Sequence, residues 1–374
     1  MPMINNNQLD ADLVSRCRRA FDFAAVQLAR LVKADPDFFP MYTVQGRWQH
    51  GGESWTNWCE GFLAGQLWLL YRHTGDENWR EQAEHYARLI EPRQNDRSIH
   101  DLGFLFWPSW KRWYDLTGDA GINQVVIQAG RTLALRFMQK GEYLCSFVAP
   151  ESLFIDIMMN VGIIFYAARV TGDSELMELA VKHCLTTRRY LVRGDGSTAH
   201  EGLFNLGTGA FFRQSTHQGW RDDSSWARGQ AWALYGFATA FSFTGDTRFL
   251  ETAEACAWFY MTHTPPHGIP PNDWEEPQPR LPYESSAAAI AASGLLDLSR
   301  LVANERRAAA YRQYAYTILE SLTGPDFLAE QTPGWEGILK HAIYHQGKGL
   351  GVDESVMWGD YFFLEALGKV LGYE

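Results

Sequence analysis

One carboxylate, Asp156, stands in the middle of the apolar stretch ESLFIDIMMNVGIIFYAARVTGD. An isolated buried charge is costly, so a carboxyl group in such a place is exposed, paired with a cation, or kept protonated. A protonated carboxyl group can act as a general acid. Asp156 is therefore a candidate catalytic acid, and a structural ion pair with an arginine is the alternative.

Further residues of catalytic and binding type lie in six short motifs, each just before an apolar segment. The motifs are ESWTNWCEG, RSIHDLGF, SLFID, STHQGWRDDSSWARGQAW, LPYESSAAA and GLGVDESVMWGDYFF. They contain Trp, His, Asp, Gln, Arg and Tyr. Flat aromatic faces stack on sugar rings, while polar side chains bind hydroxyl and carboxylate groups. If the fold brings these motifs together, they predict a sugar-binding site.

The elements that must position these motifs are marked by a recurring Thr-Gly-Asp sequence, at residues 74–76, 117–119, 171–173 and 244–246. Each copy follows an apolar segment and precedes a charged amphipathic one. Glycine can end a helix in the left-handed conformation, and aspartate can cap the next helix. The repeats therefore predict helical hairpins and carry no chemistry. At a fifth junction, we expect Asn304 to take the left-handed position.

Helical periodicity divides the chain into two alternating sets of six segments. The segments with charged faces lie near 9–33, 77–91, 120–139, 174–190, 247–263 and 306–322. The apolar segments lie near 57–73, 103–116, 154–170, 226–243, 284–302 and 355–371. Strict alternation is what a double ring of helices requires, with the apolar set inside.

The predicted fold is thus all-α, an (α/α)6 barrel of six helical hairpins that forms a single domain over residues 1–374. An open α-solenoid is the competing fold, but junction spacing varies from 43 residues (Gly75 to Gly118) to 73 (Gly172 to Gly245). Long insertions precede the apolar segments, near 92–103, 140–153, 191–225, 264–283 and 323–354. We expect them to gather at one end of the barrel and to carry the function.

Composition limits the possible partners. The 374 residues carry a net charge of -11 without any run of Lys or Arg, which argues against nucleic acid and anionic membranes. A small anionic substrate remains compatible, because a few local cations can override the global field. The five cysteines show no CxxC pattern, and the N-terminus lacks an apolar signal core. We therefore expect a cytoplasmic protein.

Six motifs resemble, in order, those of the unsaturated glucuronyl hydrolases of glycoside hydrolase family 88. They are HDLGFLF, FIDIMMN, RRYLVRGDGS, THQGWRDDSSWARGQAWALYGFA, ESSAAAIAASGLLDL and WGDYFFLEAL, and the resemblance runs from about residue 55 to the C-terminus. It implies an (α/α)6-barrel enzyme that removes a 4,5-unsaturated uronic acid from the non-reducing end of oligosaccharides left by polysaccharide lyases. It also implies chemistry without a metal or an organic cofactor.

The resemblance assigns roles to individual residues. Asp156 matches the residue that protonates C4 of the unsaturated sugar and then accepts a proton from the attacking water. Asp101 matches a second essential carboxylate, although its position alone equally suits a cap for the helix beginning near Gly103. The positions that match substrate-binding residues are Trp58, His100, Phe147, His200, Gln218, Trp226, Arg228, Trp232 and Lys348.

Physical chemistry refines these roles. The apolar neighbours of Asp156 should raise its pKa, and a like charge on Asp101 should separate the two pKa values. Arg228 is the residue best suited to bind the uronate carboxylate through two parallel hydrogen bonds. Two positions depart from the family pattern. Phe147 stands where a Trp is expected, and Lys348 has no serines beside it, unlike the lysine of members that prefer sulfated substrates.

Several alternatives remain open at this level. A related unsaturated galacturonyl (rhamnogalacturonan-type) hydrolase would act on pectin fragments with similar chemistry. A conventional inverting glycosidase would cleave saturated glycosides with its carboxyl groups about 6.5–9.5 Å apart. In a non-catalytic helical scaffold, replacing Asp156 with Asn would change only stability. His217 is interpreted as a loop hydrogen bonder, and four tryptophans as core or barrel wall, namely Trp68, Trp107, Trp110 and Trp113.

Overall fold

A computed structural model describes residues 6–53, 55–277 and 283–373 of the chain. The helices are α1 (Asn6–Ala34), α2 (Glu60–Thr74), α3 (Glu77–Leu89), α4 (Leu102–Phe106), α5 (Arg112–Thr117), α6 (Ala120–Ala134), α7 (Ile157–Asn160), α8 (Gly162–Thr171), α9 (Ser174–Leu191), α10 (Ala227–Thr244), α11 (Thr247–His263), α12 (Ser285–Leu301), α13 (Glu305–Leu322) and α14 (Met357–Leu371). A π-helical turn, Trp107–Lys111, joins α4 to α5 without a break.

The inner helices form a closed ring. Around this ring α2 packs against α4, α4 against α7, α7 against α10, α10 against α12, α12 against α14, and α14 against α2. Because the last inner helix contacts the first, the open solenoid is wrong and the predicted (α/α)6 barrel is confirmed. The inner helices are almost entirely buried, as α10 and α12 show, with 13 buried residues each.

The outer helices cover the ring with their apolar faces. Thus α3 packs on α2, α6 and α9 on α8, α11 on α10, α13 on α12, and α1 on α14. Their charged faces stay in solvent, which is the amphipathic pattern read from the sequence. Within the described part of the chain, no helix is long and apolar enough to cross a membrane.

The Thr-Gly-Asp junctions behave as predicted. Their glycines, Gly75, Gly118, Gly172 and Gly245, have φ values of 69°, 66°, 70° and 68°. The aspartate that follows each glycine caps the next helix by accepting backbone N–H groups at its start. The prediction for Asn304 was wrong, because this residue is extended (φ -82°, ψ 106°) and its side chain accepts from the Arg307 N–H. It is the N-cap of α13.

Short strands in the insertions were not predicted. They are β1 (Thr43–Val44), β2 (Arg47–Trp48), β3 (Phe137–Met138), β4 (Tyr143–Leu144), β5 (Ser152–Phe154), β6 (Glu201–Phe204), β7 (Phe211–Ser215), β8 (Ala342–His345) and β9 (Leu350–Glu354). They pair as antiparallel hairpins and one three-stranded sheet, β5-β6-β7. Strands of two to five residues are too short to show a period of two. For this reason the predicted helical segments 120–139 and 154–170 wrongly include β3 and the last residue of β5, respectively.

Candidate active site

The predicted site residues surround one small pocket at the end of the barrel where the insertions lie. It is lined by Trp55, Thr56, Trp58, His100, Asp101, Phe104, Phe147, Phe154, Asp156, Gln218, Arg228, Trp232 and Tyr344. Both predicted carboxylates and six of the predicted substrate-binding residues are in this set. The cavity volume is about 30 Å³, which is enough room for an ordered water molecule.

Two close helix starts bring the carboxylates together. Asp101 directly precedes α4 and Asp156 directly precedes α7. These helices touch at Gly103, where an added Cβ would lie only 2.5 Å from Cα of Asn160. The buried Asn160 side chain accepts from the Phe104 N–H (2.8 Å) and donates to the Asp156 carbonyl oxygen (3.2 Å). Asn160 thereby ties both helix starts to each other.

Asp156 has the environment of an acid. Its Oδ1 atom is buried and has no hydrogen-bond partner among the described residues. Burial raises the pKa of this carboxyl group to about 7, although the charges of Arg228 and His217 act in the opposite direction. No Arg or Lys of the described chain lies within 4.0 Å of it, so the structural ion pair with an arginine is not observed.

Asp101 is more deeply buried, with 4% of its surface exposed. Its Oδ2 accepts a long hydrogen bond from Thr56 Oγ1 (3.4 Å), and its Oδ1 lies 3.3 Å from His100 Nε2. Burial, followed by the charge of Asp156, raises the pKa of Asp101 to about 8. Its side chain makes no capping hydrogen bond to α4, so the helix-cap interpretation is wrong. Burial thus favours the protonated form of Asp101, as it does that of Asp156.

Two buried histidines present N–H groups to these carboxyls. His100 Nδ1 accepts from the Phe147 N–H (3.0 Å), and His200 Nδ1 accepts from the His217 N–H (3.0 Å). Each ring must therefore carry its proton on Nε2. Burial lowers the pKa of His100 to about 3 and that of His200 well below its usual value, so both rings are neutral donors. His200 Nε2 lies 4.0 Å from Asp156 Oδ1.

Arg228 lies at the edge of the pocket but is already engaged by the protein. Its guanidinium donates to the carbonyl oxygens of Ile343 and Tyr344 and to Gln218 Oε1 (2.5 Å). It also stacks on Trp226, 4.5 Å from the ring centroid. The guanidinium thus orients the Gln218 amide, and leaves Nε2 of that amide as a donor for a ligand.

The other predicted residues divide into two groups. Trp58 and Trp232 line the pocket, and Phe147 does so while its ring stacks on His100 at a centroid distance of 5.6 Å. His200 and Trp226 lie immediately behind the pocket, with their ring centroids 4.7 Å apart. Trp226 is only 2% exposed and supports Arg228 from below.

Lys348 lies outside the pocket. Its ammonium group pairs with Glu53 and lies 4.5 Å from the ring centroid of Trp55, which itself contacts Tyr344 and His345. Lys348 therefore belongs to the outer rim of the site.

Sequence reasoning missed five lining residues, namely Trp55, Thr56, Phe104, Phe154 and Tyr344. Trp55 and Thr56 stand in the ESWTNWCEG motif beside Trp58, so their proximity to a predicted residue was the available signal. Tyr344 carried none, because its place depends on the β8-β9 hairpin. In the described ranges, no group of three or more His, Cys, Asp or Glu side chains could hold a metal ion.

Comparison with known proteins places this geometry in a family. Residues 35–262 match the model of Glycosyl Hydrolase Family 88. The chain belongs to this family. It is 34% identical over 351 residues to an unsaturated glucuronyl hydrolase of Bacillus sp. (strain GL1), covering 91% of this chain and 92% of that protein. The chain is accordingly a glycoside hydrolase.

Two further family members show the range of relatives. An unsaturated chondroitin disaccharide hydrolase of Streptococcus pneumoniae (strain ATCC BAA-255 / R6) is 31% identical, covering 83% of this chain and 81% of that protein. The crystal structure of an unsaturated glucuronyl hydrolase specific for heparin superposes with a TM-score of 0.89 at 30% identity, covering 96% of this chain and 97% of that structure.

Proposed function

We propose that this family member removes a 4,5-unsaturated uronic acid from the non-reducing end of oligosaccharides produced by polysaccharide lyases. The observation that carries the proposal is the pair of carboxyl groups, the buried Asp101 and the partly buried Asp156 at the pocket, whose pKa values desolvation raises to about 8 and about 7. A protonated carboxyl group next to neutral donors and aromatic walls suits proton transfer to a carbon–carbon double bond.

The substrate is an enol ether, because its C4=C5 double bond is attached to the ring oxygen. In the first step the Asp156 carboxyl group gives its proton to C4, and the π electrons of the double bond form the new C4–H bond. Positive charge then develops at C5 and is shared with the ring oxygen. The Asp156 carboxylate left by this step lies close enough to stabilise that charge.

In the second step a water molecule adds to C5, and Asp156 takes back a proton from it. The neutral His200 Nε2–H, 4.0 Å from Asp156 Oδ1, is placed to orient this water or a sugar hydroxyl. The product is a hemiketal at C5, which opens to a ketone and leaves a hemiacetal at C1. Collapse of the hemiacetal releases the remaining sugar, so the enzyme hydrates a double bond and does not displace the glycosidic oxygen directly.

The binding groups fit an anionic sugar. The Nε2 group of Gln218 and the positive charge of Arg228 suit the uronate carboxylate, while Trp58 and Trp232 offer ring faces. Asp101, protonated at neutral pH, can donate to a sugar hydroxyl. In this arrangement Arg228 acts partly through Gln218, because its guanidinium donates to three protein oxygens.

The pocket must enlarge when substrate binds. Its 30 Å³ is far below the volume of a sugar ring, and ligand sites usually exceed about 300 Å³. Trp55 is a wall residue that also contacts the rim, since Lys348 Nζ lies 4.5 Å from its ring centroid. Movement of Trp55 is the simplest route to a ring-sized opening.

The rim also bears on the second sugar. Lys348 lies on this rim without neighbouring serines, and its charge is neutralised by Glu53. We therefore assign a preference for unsulfated over sulfated penultimate sugars. We also propose a cytoplasmic location, which the five free, buried thiols support. We further propose a single catalytic domain over residues 1–374, which the closed ring of inner helices supports.

The deciding experiment follows the ultraviolet absorbance of the conjugated C4=C5 bond. Unsaturated chondroitin and hyaluronan disaccharides and their saturated counterparts are incubated with the wild type, with Asp156→Asn and with Asp223→Asn. Asp223 is a carboxylate on the 216–226 loop with 78% of its side chain exposed, so it serves as the control.

We expect absorbance to fall only with the unsaturated substrates, for the wild type and Asp223→Asn but not for Asp156→Asn. Release of sugar from saturated substrates would instead indicate a conventional inverting glycosidase. An unsaturated pectin-derived disaccharide is assayed in parallel, and activity confined to that substrate would favour the galacturonyl alternative.

A further inference from the structure

The barrel contains a second cavity at the end opposite the candidate active site. It measures about 520 Å³, and its walls come from the C-terminal ends of α2, α5, α12 and α14, among others. We call it the far-end cavity. Its size lies in the range of small-molecule sites, about 300–1,000 Å³, whereas the candidate active site is much smaller in this conformation.

One layer of aromatic rings separates the two cavities. Phe104 lines both of them. Its ring centroid lies 5.3 Å from Trp58 and 5.0 Å from Trp232, which both face the active-site pocket. The far-end cavity is therefore a distinct site with its own opening.

The far-end cavity is positively charged in a negatively charged protein. Its walls include five cationic residues, Arg72, Lys111, Arg112, Arg300 and Lys369, and three carboxylates, Asp115, Asp297 and Glu365. This gives a net charge of +2, against -11 for the chain. A local excess of positive charge concentrates anions.

The cations differ in depth. The inner ones are matched: Arg112 Nη2 lies 3.0 Å from Glu365 Oε1, and Lys369 Nζ lies 2.7 Å from Asp297 Oδ2. The excess charge is at the mouth. Arg72 is exposed and has no carboxylate within 4.0 Å among the described residues. The Arg300 side chain is 51% exposed and lies 3.9 Å from Asp297, a carboxylate that it shares with Lys369.

Aromatic walls accompany this charge. Trp107, Tyr235, Phe243 and Tyr361 all line the cavity. Trp107 begins the π-helical turn, Trp107–Lys111, which interrupts the inner helix where it passes the cavity. π-Helical turns are rare and occur frequently at functional sites. Arg300 is held beside these rings, since its Nη2 donates to the Lys369 carbonyl oxygen (3.2 Å).

A purely structural account explains only part of the arrangement. Cations near the C-terminal ends of helices are stabilised by the helix dipole, which suits Arg72, Arg300 and Lys369. The π-helical turn has a local cause, because Pro108 within it lacks the N–H group that a regular helix needs. Neither effect accounts for a ring-sized cavity with aromatic walls. These features need a separate reason.

We propose that the far-end cavity binds a small organic anion consisting of one ring and a carboxylate. The guanidinium groups of Arg72 and Arg300 bind the carboxylate at the mouth, and the ring packs among the aromatic side chains that line the cavity. This site is independent of the proposed hydrolysis, because binding can be measured without turnover.

The test uses 4-bromobenzoate, a ring-bearing carboxylate with an anomalous scatterer. Calorimetric titration compares the wild type with Arg72→Gln/Arg300→Gln and with Arg306→Gln/Arg312→Gln. The second pair is the matched control, because these arginines are exposed on α13 and their loss changes the net charge equally. Crystals of the wild type soaked in the same compound give the position of the bromine.

We expect saturable binding that weakens at least fivefold in Arg72→Gln/Arg300→Gln and stays unchanged in the control, with the bromine peak in the far-end cavity. Absence of saturable binding, equal affinity in both double variants, or a bromine peak only at the active-site pocket would each overturn the proposal. Displacement of 4-bromobenzoate by glucuronate would identify a sugar acid as the natural ligand class. Failure of glucuronate to displace it would identify an aromatic carboxylate.

Discussion

At the scale of single residues, Asp156 is expected to be the proton donor. Asp156→Asn removes the proton that the reaction transfers, so we predict a loss of about 10²–10⁴-fold in kcat/KM on an unsaturated disaccharide. Because the carboxyl group is buried with a raised pKa, a neutral amide should leave the melting temperature at pH 8 unchanged or higher. Activity and melting temperature measured together decide the matter: a scaffold would lose stability alone.

The pH dependence of the reaction should report the same group. Asp156 must be protonated to act, and its pKa is raised to about 7. We predict that kcat/KM is steady at mildly acidic pH and falls about fivefold between pH 7 and pH 8, as the protonated fraction drops from about one half to one tenth. A rate that instead rises over this interval would assign Asp156 the role of a base in the rate-limiting step.

Glu53 should control the response to sulfated substrates. Glu53 pairs with Lys348, and this contact lowers the pKa of the Glu53 carboxyl group. Glu53→Gln leaves Lys348 free to attract a sulfate, so we predict a severalfold rise in the ratio of kcat/KM for sulfated to unsulfated unsaturated chondroitin disaccharides. Glu53→Gln/Lys348→Gln is the control and should abolish the rise. An unchanged ratio in the single variant would remove Lys348 from the second-sugar site.

At the scale of elements, the close approach of α4 and α7 positions the catalytic pair. An added Cβ on Gly103 would lie 2.5 Å from Cα of Asn160, so Gly103→Ala must push the two helix starts apart. We predict that the free energy of unfolding falls by about 1–3 kcal/mol. We also predict that kcat/KM falls under conditions in which the variant is still fully folded. Denaturant unfolding and the absorbance assay measure the two effects.

The control for this prediction is Gly162→Ala on the inner helix α8. Its added Cβ would meet only Thr239 Cγ2, at 3.3 Å, and the backbone there is helical. This variant should keep nearly full stability and activity. If Gly103→Ala behaved in the same way, contact between the helix starts would not be what holds Asp101 and Asp156 in place.

Much of the element-level structure followed from local sequence. The Thr-Gly-Asp repeats contain both the left-handed glycine and the capping aspartate, so each hairpin turn is determined within about four residues. Asn304 shows the limit of this reasoning: asparagine suits a helix N-cap as well as a left-handed position, and the structure uses it as the cap. The π-helical turn at Trp107 was not predicted, although Pro108 within it lacks the N–H group that a regular helix needs.

At the scale of the whole molecule, buried titratable groups should shape the dependence of stability on pH. Burial lowers the pKa values of His100, His183 and His345 to between about 3 and about 4, so the unfolded chain binds more protons below pH 6.5. Their contribution to stability is lost as pH falls. Burial raises the pKa values of Asp101, Asp156 and Asp360 to between about 7 and about 8, so their contribution is lost as pH rises.

The two effects oppose each other between about pH 4 and pH 6.5, so they predict that stability is highest at or below pH 6.5. Above pH 6.5 the histidine effect is complete, while the aspartates continue to release protons up to about pH 8. We therefore predict that the free energy of unfolding falls between pH 6.5 and pH 8, and that Asp156→Asn makes this fall shallower. Urea unfolding at a series of pH values measures it. A stability that rises through this interval in the wild type would contradict the pKa shifts.

The sequence by itself determined the helical hairpins, the alternation of buried and amphipathic helices, and the chemical types of the site residues. These depend on periodicity, caps and composition, which act over a few residues. The resemblance carried by its motifs also identified the family.

Only the tertiary structure decided how the site is assembled, because that depends on contacts between residues far apart in the chain. Gly103 against Asn160 brings Asp101 near Asp156, and the carbonyl groups of the β8-β9 hairpin engage Arg228 so that it orients Gln218. Whether Asp156 keeps its proton likewise depends on burial by several elements at once. No local sequence pattern predicts this burial of the Asp156 carboxyl group, because the burial arises only when the ring of helices closes.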